Sequence, residues 1–452
     1  MIDTLPKWAE VDVLVLGGGP AGFSAALASA RSGAQTMLVE QHGFLGGMAT
    51  AALVMPWNVW AKPITSKDIG GAYAMLIKEL KKNNGTFLFS DRTVLRSFDP
   101  SLVKIIMDDI LLSSGVQLLF HTLAVDVVRK NDEITGVVLQ SKAGRGLVTA
   151  KSIVDATGDG DIAVRAGAGY EVGKGNQKTQ PGTLIFKMGG VDIQALIKYL
   201  KNNRSEVGNW PPTDEIRFGD GEHICVHGLF KIVEKAKKDG LPVAGNSLIM
   251  TSTPVKGLIT INITKVFGID MDDPMSLSRA EINARKQVLV AKEFMKHYVP
   301  GFEDSYLADI GIQIGIRETR RIRGDCVVTM DDILGGRHYD NRVARLFNVG
   351  HLDFTGTDKE GKPVARFEYL QKDLEIPAGS LTVNGIKNLT IAGRCISTDP
   401  GVFGFIRTQT ACFATGQASG TIAAFSALED IDVQGVDIKN VQAQLLKEGI
   451  EL

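Results

Sequence analysis

The glycine-rich turn Gly17–Gly22 constrains the fold more than any other feature of this chain, because of the segments on either side of it. The apolar run Val11–Leu16 before it predicts a strand, and the alanine-rich stretch Pro20–Ala30 predicts a helix. Thr36–Val39 then predicts a second strand, which Glu40 closes. Strand, glycines, helix, strand and acid in this order predict a dinucleotide-binding βαβ unit.

Each residue type in this unit has a physical role. Gly17 makes the tight turn, Gly19 lets the backbone approach a pyrophosphate, and Gly22 lets helix and strand pack closely. The start of the helix offers free N–H groups and the positive end of its dipole to the phosphates. Glu40 accepts hydrogen bonds from ribose hydroxyls, whereas a ribose phosphate would call for arginine. The predicted ligand is therefore FAD or NAD.

Composition limits the other classes of function. A chain of 452 residues with 44% hydrophobic and 22% charged residues is typical of a globular protein of two or three domains, and its net charge of −1 gives no indication of nucleic acid or an anionic membrane. Cys225, Cys326, Cys395 and Cys412 form no CxxC pair, which argues against zinc and a redox disulfide. We see no signal peptide and no membrane-length apolar run, so we expect a cytoplasmic protein.

The remaining patterns predict an α/β protein with a discontinuous dinucleotide-binding domain. Residues 1–175 and 381–452 are assigned to that domain, and residues 176–380 to a second, α+β substrate or cap domain. Ser278–His297 predicts a long helix that starts with a capping box, and Gln409–Leu428 predicts another, rich in small residues. Four short strands predict an antiparallel meander inserted in the first domain: Val116–Phe120, Leu123–Arg129, Ile134–Gln140 and Leu147–Val154.

Several segments together carry a family resemblance: LGGGPAG at Leu16–Gly22, FLGGMAT at Phe44–Thr50, DATGDGD at Asp155–Asp161, GIRETRRIRGD at Gly315–Asp325 and IAGRCIS at Ile391–Ser397. With them the chain resembles the FAD-dependent oxidoreductases of the glutathione-reductase-like superfamily, in the branch of the fumarate reductase flavoproteins. The resemblance implies a Rossmann-like domain of the glutathione-reductase type and favours FAD over NAD.

The resemblance also implies roles for residues around the cofactor. Gly46 and Gly47 would run beside the pyrophosphate and ribityl chain, with the Thr50 hydroxyl against the cofactor. Thr157 and Gly158 would pass the adenosine. The predicted FAD-binding residues are Gly17, Gly19, Pro20, Ala21, Gly22, Glu40, Gln41, Gly46, Gly47, Met48, Thr50, Ala124, Val125, Ala156, Thr157, Gly158, Asp161, Gly393, Arg394, Gln409 and Thr410.

At the flavin end, Gly393 and Arg394 would approach the ribityl and phosphate region. The helix that starts at Gln409 and Thr410 would point its dipole at the pyrimidine ring, where it stabilises negative charge. Asp159 either caps the next helix or belongs to this site. His42 lies two residues closer to the glycine pair than the histidine that carries covalent flavin in the fumarate reductase branch. We therefore expect non-covalent FAD, with His42 in a solvent-facing loop near the ribose.

Arginines in the segment 310–325 are the main substrate-binding hypothesis. Isoleucines at alternate positions predict a strand. Continued, that alternation would place Gln313, Arg317, Thr319, Arg321 and Arg323 on one face, and Glu318 and Arg320 on the other. Such arginines bind carboxylates, or they form ion pairs between domains with Glu318 and nearby aspartates. We favour ion pairs for most of them and choose Arg317 and Arg320 to reach substrate.

Other candidates have alternative structural roles. Arg407, just before the last long helix, would hold substrate or form a salt bridge. His351 would transfer a proton, as would Glu318, although a lone loop histidine is more often structural. Trp57 and Trp60 would line the substrate side or belong to the core.

One histidine pair has metal-like spacing. His223 and His227 flank Cys225, but without a fourth ligand nearby they predict no metal site.

The leading hypothesis is an FAD-dependent oxidoreductase that transfers a hydride between FAD and a small organic substrate with an anionic or carbonyl group. The alternatives are an NAD(P)H-dependent flavin monooxygenase and an electron-transfer subunit of a larger complex. The partners would be the substrate and a nicotinamide or protein electron partner, with no nucleic acid and no membrane. The sequence leaves the oligomeric state open, a homo-oligomer included.

Overall fold

The computed structural model describes residues 5–57, 69–90, 95–173, 179–211, 213–219, 221–347, 350–357, 363–370 and 372–452. The helices are α1 (Pro20–Arg31), α2 (Gly71–Lys82), α3 (Pro100–Ser113), α4 (Asp161–Arg165), α5 (Ile193–Asn202), α6 (Asp214–Phe218), α7 (Phe230–Lys238), α8 (Pro274–Tyr298), α9 (Met330–Gly335), α10 (Pro400–Ile406), α11 (Gln409–Glu429) and α12 (Ile438–Lys447).

The strands follow one another along the chain as β1 (Lys7–Leu16), β2 (Thr36–Val39), β3 (Thr86–Leu88), β4 (Arg96–Phe98), β5 (Gln117–Leu119), β6 (Leu123–Lys130), β7 (Glu133–Ser141), β8 (Gly144–Asp155), β9 (Tyr170–Val172), β10 (Phe186–Gly189), β11 (Cys225–Gly228), β12 (Leu248–Ser252), β13 (Ile259–Asn262), β14 (Tyr306–Ile310), β15 (Arg320–Ile322), β16 (Arg342–Leu346), β17 (Gly350–Thr357), β18 (Pro363–Tyr369), β19 (Leu374–Pro377), β20 (Thr382–Val383) and β21 (Ile386–Ile391).

The larger sheet has the order β20-β21-β8-β1-β2-β5, and β21, β8, β1, β2 and β5 run parallel. The predicted βαβ unit and the Rossmann-like α/β class are confirmed. Within the unit, a Cβ on Gly22 would stand 1.7 Å from the carbonyl oxygen of Gly17, so only glycine lets α1 start so close to β1.

Helix α11 packs on α1 through two glycines. A Cβ on Gly416 would lie 2.1 Å from the carbonyl oxygen of Ala21, and one on Gly420 would lie 2.2 Å from that of Ala25. The two backbones are therefore in direct contact, and the small residues predicted along this helix are what permits it. Ser29 fixes the pair further, because its hydroxyl donates to the Gly420 carbonyl at 2.9 Å.

The predicted meander of four strands is correct for three of them. Strands β6, β7 and β8 are antiparallel neighbours. The first predicted strand, β5, instead pairs parallel with β2. Helix α3 precedes β5, and a strand reached through a helix returns parallel to its neighbour rather than as part of a hairpin.

The smaller sheet is antiparallel with the order β11-β12-β13-β10-β14. Alternate residues such as Met250 and Ile261 pack with α5, α7 and α8 in a second core, while the opposite face turns toward the first domain's strand ends. Each sheet draws on the residues assigned to one domain, although the domain boundaries themselves stay a prediction.

The predicted start of α8 is wrong. The helix begins at Pro274, and Asp273 caps it by accepting from the Met275 N–H at 2.8 Å. An aspartate followed by proline at the first helical position outweighs the capping box four residues later. Glu281, the predicted acid of that box, instead accepts from the Ile314 N–H at 2.7 Å.

The predicted continuous strand from Ile310 onward is also wrong. Strand β14 ends at Ile310, and the chain next forms a strand only at β15. Between them Ile312 donates its N–H to the Ala51 carbonyl at 2.8 Å, and Gly315 pairs with Thr183. These contacts, one with the first domain at Ala51 and one within the second domain at Thr183, interrupt the alternation of faces, so the expected division of the arginines does not apply.

Within the described ranges, no helix combines the length and apolar character needed to cross a bilayer.

Candidate functional site

A cleft of about 1230 Å³ lies between the two sheets. One wall is formed where the parallel strands of the larger sheet end, at Leu16, Val39, Ala156 and Ala392. The connections after β1 and β8 leave these neighbouring strands in opposite directions, which makes this edge the usual ligand site of a doubly wound fold.

The glycines form a cradle at this edge. Gly17 has a φ of +98°, and a Cβ on Gly47 would stand 2.8 Å from the Cα of Gly19, so the two glycine segments are in contact. A Cβ on Gly19 would meet no atom closer than 3.8 Å, which leaves room on the cleft side. Gly19 caps α1 without a side-chain hydrogen bond, so the first N–H groups of the helix are available to a pyrophosphate.

Glu40 is held rigidly at the end of β2. Its side chain is buried, and its two carboxylate oxygens accept from the N–H groups of Gly18 at 2.6 Å and His42 at 2.8 Å. Each oxygen has two acceptor positions, so the carboxylate keeps capacity for ribose hydroxyls. The N–H donors of the cradle and the carboxylate acceptor of Glu40 together fit an adenine dinucleotide without a ribose phosphate.

Asp155, which the sequence reasoning did not select, organises the loop after β8. Its carboxylate accepts from the N–H groups of Ile162 at 2.8 Å and Ala163 at 2.9 Å, and from the Thr157 hydroxyl at 2.7 Å. Burial raises the pKa of Asp155 above its ordinary value. The sequence signal that could have identified Asp155 is its position at the end of a strand, directly before Ala-Thr-Gly.

Asp159 does not cap α4, because Gly160 occupies that position. Its carboxylate instead accepts from the Thr319 hydroxyl at 2.7 Å and from Arg394. It lines the cleft together with Arg394. Asp159 therefore bonds to one residue from each predicted domain, Thr319 and Arg394.

Most residues predicted to bind FAD line this one cleft: Gly17, Gly19, Pro20, Ala21, Glu40, Gln41, Gly47, Met48, Ala124, Ala156, Thr157, Gly158, Asp161, Gly393, Arg394 and Gln409. Five others are not among the residues that line it: Gly22, Gly46, Thr50, Val125 and Thr410. The Thr50 hydroxyl, for example, donates to the Leu45 carbonyl at 2.7 Å and supports the glycine turn from beneath.

The start of α11 lies at the far end of this edge of the larger sheet. Thr408 caps this helix without a side-chain hydrogen bond and lines the cleft. The Gln409 amide donates to the Val54 carbonyl and accepts from the Trp57 indole N–H, both at 2.8 Å. Trp57 is fully buried and stacks on Phe98, so it is a core residue; the predicted Trp60 lies outside the described residues.

Arg317 and Arg407 both line the cleft. The Arg317 guanidinium donates to the Thr183 hydroxyl at 2.5 Å and to the Pro181 carbonyl. Burial, together with the nearby positive charge of Arg407, lowers the pKa of Arg317 to about 9. Arg317 therefore stays cationic at neutral pH, and it lies close enough to Arg407 for the two charges to interact.

The other arginines of this segment form ion pairs. Arg320 lines the cleft but contacts Asp161 at 2.9 Å and also Asp272. Arg321 pairs with Glu318 at 3.0 Å, with both side chains buried. For these residues the geometry agrees with the ion-pair interpretation.

Arg323 is likewise engaged in an ion pair: it contacts Glu171 at 3.4 Å on the surface. Glu318, predicted as a proton-transfer residue, does not line the cleft.

The histidines singled out from the sequence have different surroundings, and the side chain of one of them is not described. His42 lines the cleft and its Nε2 lies 2.9 Å from the Gln313 amide oxygen. His351 lies on β17, but its side chain is outside the described part of the chain. His223 packs on Phe87, and among the described residues no group of histidine, cysteine or acidic side chains is arranged to hold a metal ion.

His227 lines the cleft, and its Nε2 lies 2.8 Å from the Ser247 hydroxyl. Burial and the nearby charge of Lys265 lower the pKa of His227 to about 4. Sequence reasoning considered this residue only as a metal ligand, because its burial and its neighbours are set by the smaller sheet.

The low pKa of His227 has a consequence for stability. Between pH 6.5 and about pH 4 the unfolded chain binds a proton at this residue and the folded protein does not. The free energy of unfolding should therefore fall by about 3 kcal/mol from this residue as the pH falls through that range. Urea unfolding at pH 7 and pH 5 should show a smaller loss in His227→Gln than in the wild type. The exposed His297→Gln variant is the control, and an equal loss in all three proteins would contradict the assignment.

A doubly wound sheet, a glycine cradle and a buried acid after the second strand define a dinucleotide-binding protein. The chain belongs to the FAD dependent oxidoreductase family, whose model matches residues 12–445. In a member of this family the cradle, Glu40 and the start of α11 would hold the FAD.

Individual relatives match parts of the chain. Thiamine thiazole synthase of Methanococcus vannielii is 30% identical over 158 residues, 33% of this chain and 56% of that protein. Fumarate reductase (cytochrome) of Shewanella frigidimarina is 31% identical over 96 residues, 21% of this chain and 15% of that protein. A geranylgeranyl bacteriochlorophyll reductase-like structure from Thermoplasma acidophilum has a TM-score of 0.47 and 15% identity, covering 98% of this chain and 84% of that chain. The chain thus spans little more than half the length of the thiazole synthase.

Proposed function

We propose that this oxidoreductase transfers a hydride between non-covalently bound FAD and a small organic substrate that carries an anionic or carbonyl group. The observation that carries the proposal is that Arg317 and Arg407 both line the cleft, with the charge of Arg407 close enough to lower the pKa of Arg317. Two neighbouring cations at the surface of a cleft attract an anion, because its charge offsets their mutual repulsion. A substrate carboxylate is suited to both guanidinium groups.

The position of Arg407 connects this anion site to the cofactor. Arg407 ends α10, and Thr408 follows it as the cap of α11. When bound, FAD supplies the hydride acceptor or donor. Arg407 would orient the substrate beside it, and the N-terminus of α11 would stabilise negative charge on the reduced cofactor. The hydrogen bond between His42 and Gln313 is compatible with non-covalent binding.

The finer family placement is also part of the proposal. We assign the chain to the branch of the fumarate reductase flavoproteins, which the partial match to the Shewanella frigidimarina protein supports. The proton-transfer roles of His351 and Glu318 stay predictions, and the pairing of Glu318 with Arg321 does not favour the second of them.

Replacing either cleft arginine should weaken carboxylate binding. In titrations of the FAD absorbance band with benzoate, Arg317→Leu and Arg407→Leu are each expected to raise the Kd about tenfold to a hundredfold, since a charged hydrogen bond contributes about 1.5–3 kcal/mol. Arg323→Leu, whose side chain is exposed, is the matched control. Benzoate affinities equal to the wild type in both cleft variants would overturn the anion site.

The electron source is tested with the same holoenzyme under anaerobic conditions. If the hydride passes from substrate to FAD, NADH and NADPH leave the FAD band unchanged, while an oxidisable carboxylate substrate bleaches it. Rapid bleaching by either nicotinamide would contradict that direction and would support a nicotinamide-dependent reductase or the monooxygenase alternative.

A further inference from the structure

The cleft continues beyond the arginines along one face of the smaller sheet. His227 on β11 pairs with Ile249 on β12, which pairs with Asn262 on β13. Directly paired residues of adjacent strands present their side chains on the same face. All three line the cleft, as does Ile185, the residue before β10. They form a row across four strands, here called the sheet row: His227, Ile249, Asn262 and Ile185.

One end of the sheet row adjoins the anion site. Thr183 lies two residues before Ile185, lines the same cleft, and accepts the hydrogen bond from Arg317 at 2.5 Å. Adjacent strands are about 4.8 Å apart, so the row extends about 14 Å from Ile185 to His227. A molecule that reaches both ends is therefore longer than a small carboxylate.

The other end of the row is enclosed by apolar side chains and contains a neutral hydrogen-bonding group. Trp210 and Phe230 line the cleft there. Gly208 also lines it, and a Cβ at that position would stand 2.8 Å from His227 Nδ1, so glycine leaves this edge of the ring uncovered. Ser247 holds the ring from the other side through Nε2.

We propose that the sheet row is the second half of the substrate site and that the substrate is an elongated amphipathic carboxylate whose chain spans the row, about 14 Å, and carries a hydroxyl or carbonyl group at the end away from its anionic group. The anionic end binds Arg317 and Arg407, the chain lies along Ile185 and Ile249, and the distant polar group binds His227. This inference rests on the proposed anion site and adds the length and the second polar group of the substrate.

The low pKa of His227 agrees with this role, because a neutral imidazole offers one donor and one acceptor. A cationic histidine would instead select a second anionic group. Asn262 supplies an amide in the middle of the row, so a substrate with an additional polar group near its centre is also compatible with the lining.

The experiment uses the holoenzyme and titrates its FAD absorbance band with straight-chain monocarboxylates and their ω-hydroxy counterparts of increasing length. The ω-hydroxyl is expected to tighten binding about tenfold at lengths that reach about 14 Å, and to have no favourable effect on shorter chains. His227→Leu should abolish this difference and His227→Gln should retain most of it. His297→Leu, changed at an exposed position of α8, should match the wild type.

The outcomes separate the two proposals. Carboxylate binding without an ω-hydroxyl effect at any length, or an effect that survives in His227→Leu, overturns the sheet row as a subsite and leaves the anion site intact. Failure of every carboxylate to bind the wild type overturns both. The FAD band of each variant reports whether it has folded, and the retained effect in His227→Gln distinguishes a contact with substrate from a loss of packing.

Discussion

Glu40→Gln is expected to lose FAD affinity by about a hundredfold. Both carboxylate oxygens of Glu40 accept a backbone N–H, from Gly18 and from His42. An amide has one oxygen, so its NH₂ group must face one of these two donors. That NH₂ group cannot accept from a ribose hydroxyl, and a hydrogen bond from a hydroxyl to a charged acceptor contributes about 1.5–3 kcal/mol to binding. The measurement is the Kd for FAD, from fluorescence titration of the apoprotein.

The matched control is Glu133→Gln, which makes the same change on an exposed residue at the start of β7. It should bind FAD like the wild type. Circular dichroism of the apoprotein separates loss of the cofactor from loss of the fold. A Glu40→Gln protein that binds FAD as tightly as the control would refute the role given to this carboxylate.

Gly416→Ala is expected to lower the free energy of unfolding by about 3 kcal/mol or more. The added Cβ would lie 2.1 Å from the Ala21 carbonyl oxygen and 2.7 Å from the Ala21 Cα. Both are backbone atoms, so no side chain can rotate away, and α11 must move off α1. The first turn of α11 lies at the cleft, and the Thr415 hydroxyl of this helix accepts from the Gly393 N–H at 3.1 Å. FAD content should therefore fall together with Tm.

Gly335→Ala provides the comparison. Gly335 also lies in a helix, α9, but a Cβ there would meet no atom within 4 Å. Alanine is the better helix former, so this variant should melt at the wild-type temperature or slightly above it. If Gly416→Ala has the same Tm as Gly335→Ala, the close contact between α1 and α11 is not a constraint on the fold.

The arginines show where a local sequence pattern stops predicting the positions of side chains. The alternation of isoleucines from Ile310 predicted a strand, but β14 ends at Ile310 and the segment after it turns to bond Ala51 and Thr183. That contact places Arg317 in the cleft and Arg321 in a buried pair with Glu318, a division that the alternation did not predict.

The sequence by itself determined the βαβ unit, the glycine cradle, Glu40 and the helix at Gln409. Their signals are local: a turn that only glycine permits, an acid at the end of a strand, and a run of small residues that lets one helix contact another. Tertiary structure decided which distant residues share the cleft. Arg317 and His227 lie on segments far apart in sequence, and only the register of the smaller sheet and the packing of the chain around it bring them into one cleft. Pairing between strands and burial depend on neighbours that no local pattern specifies.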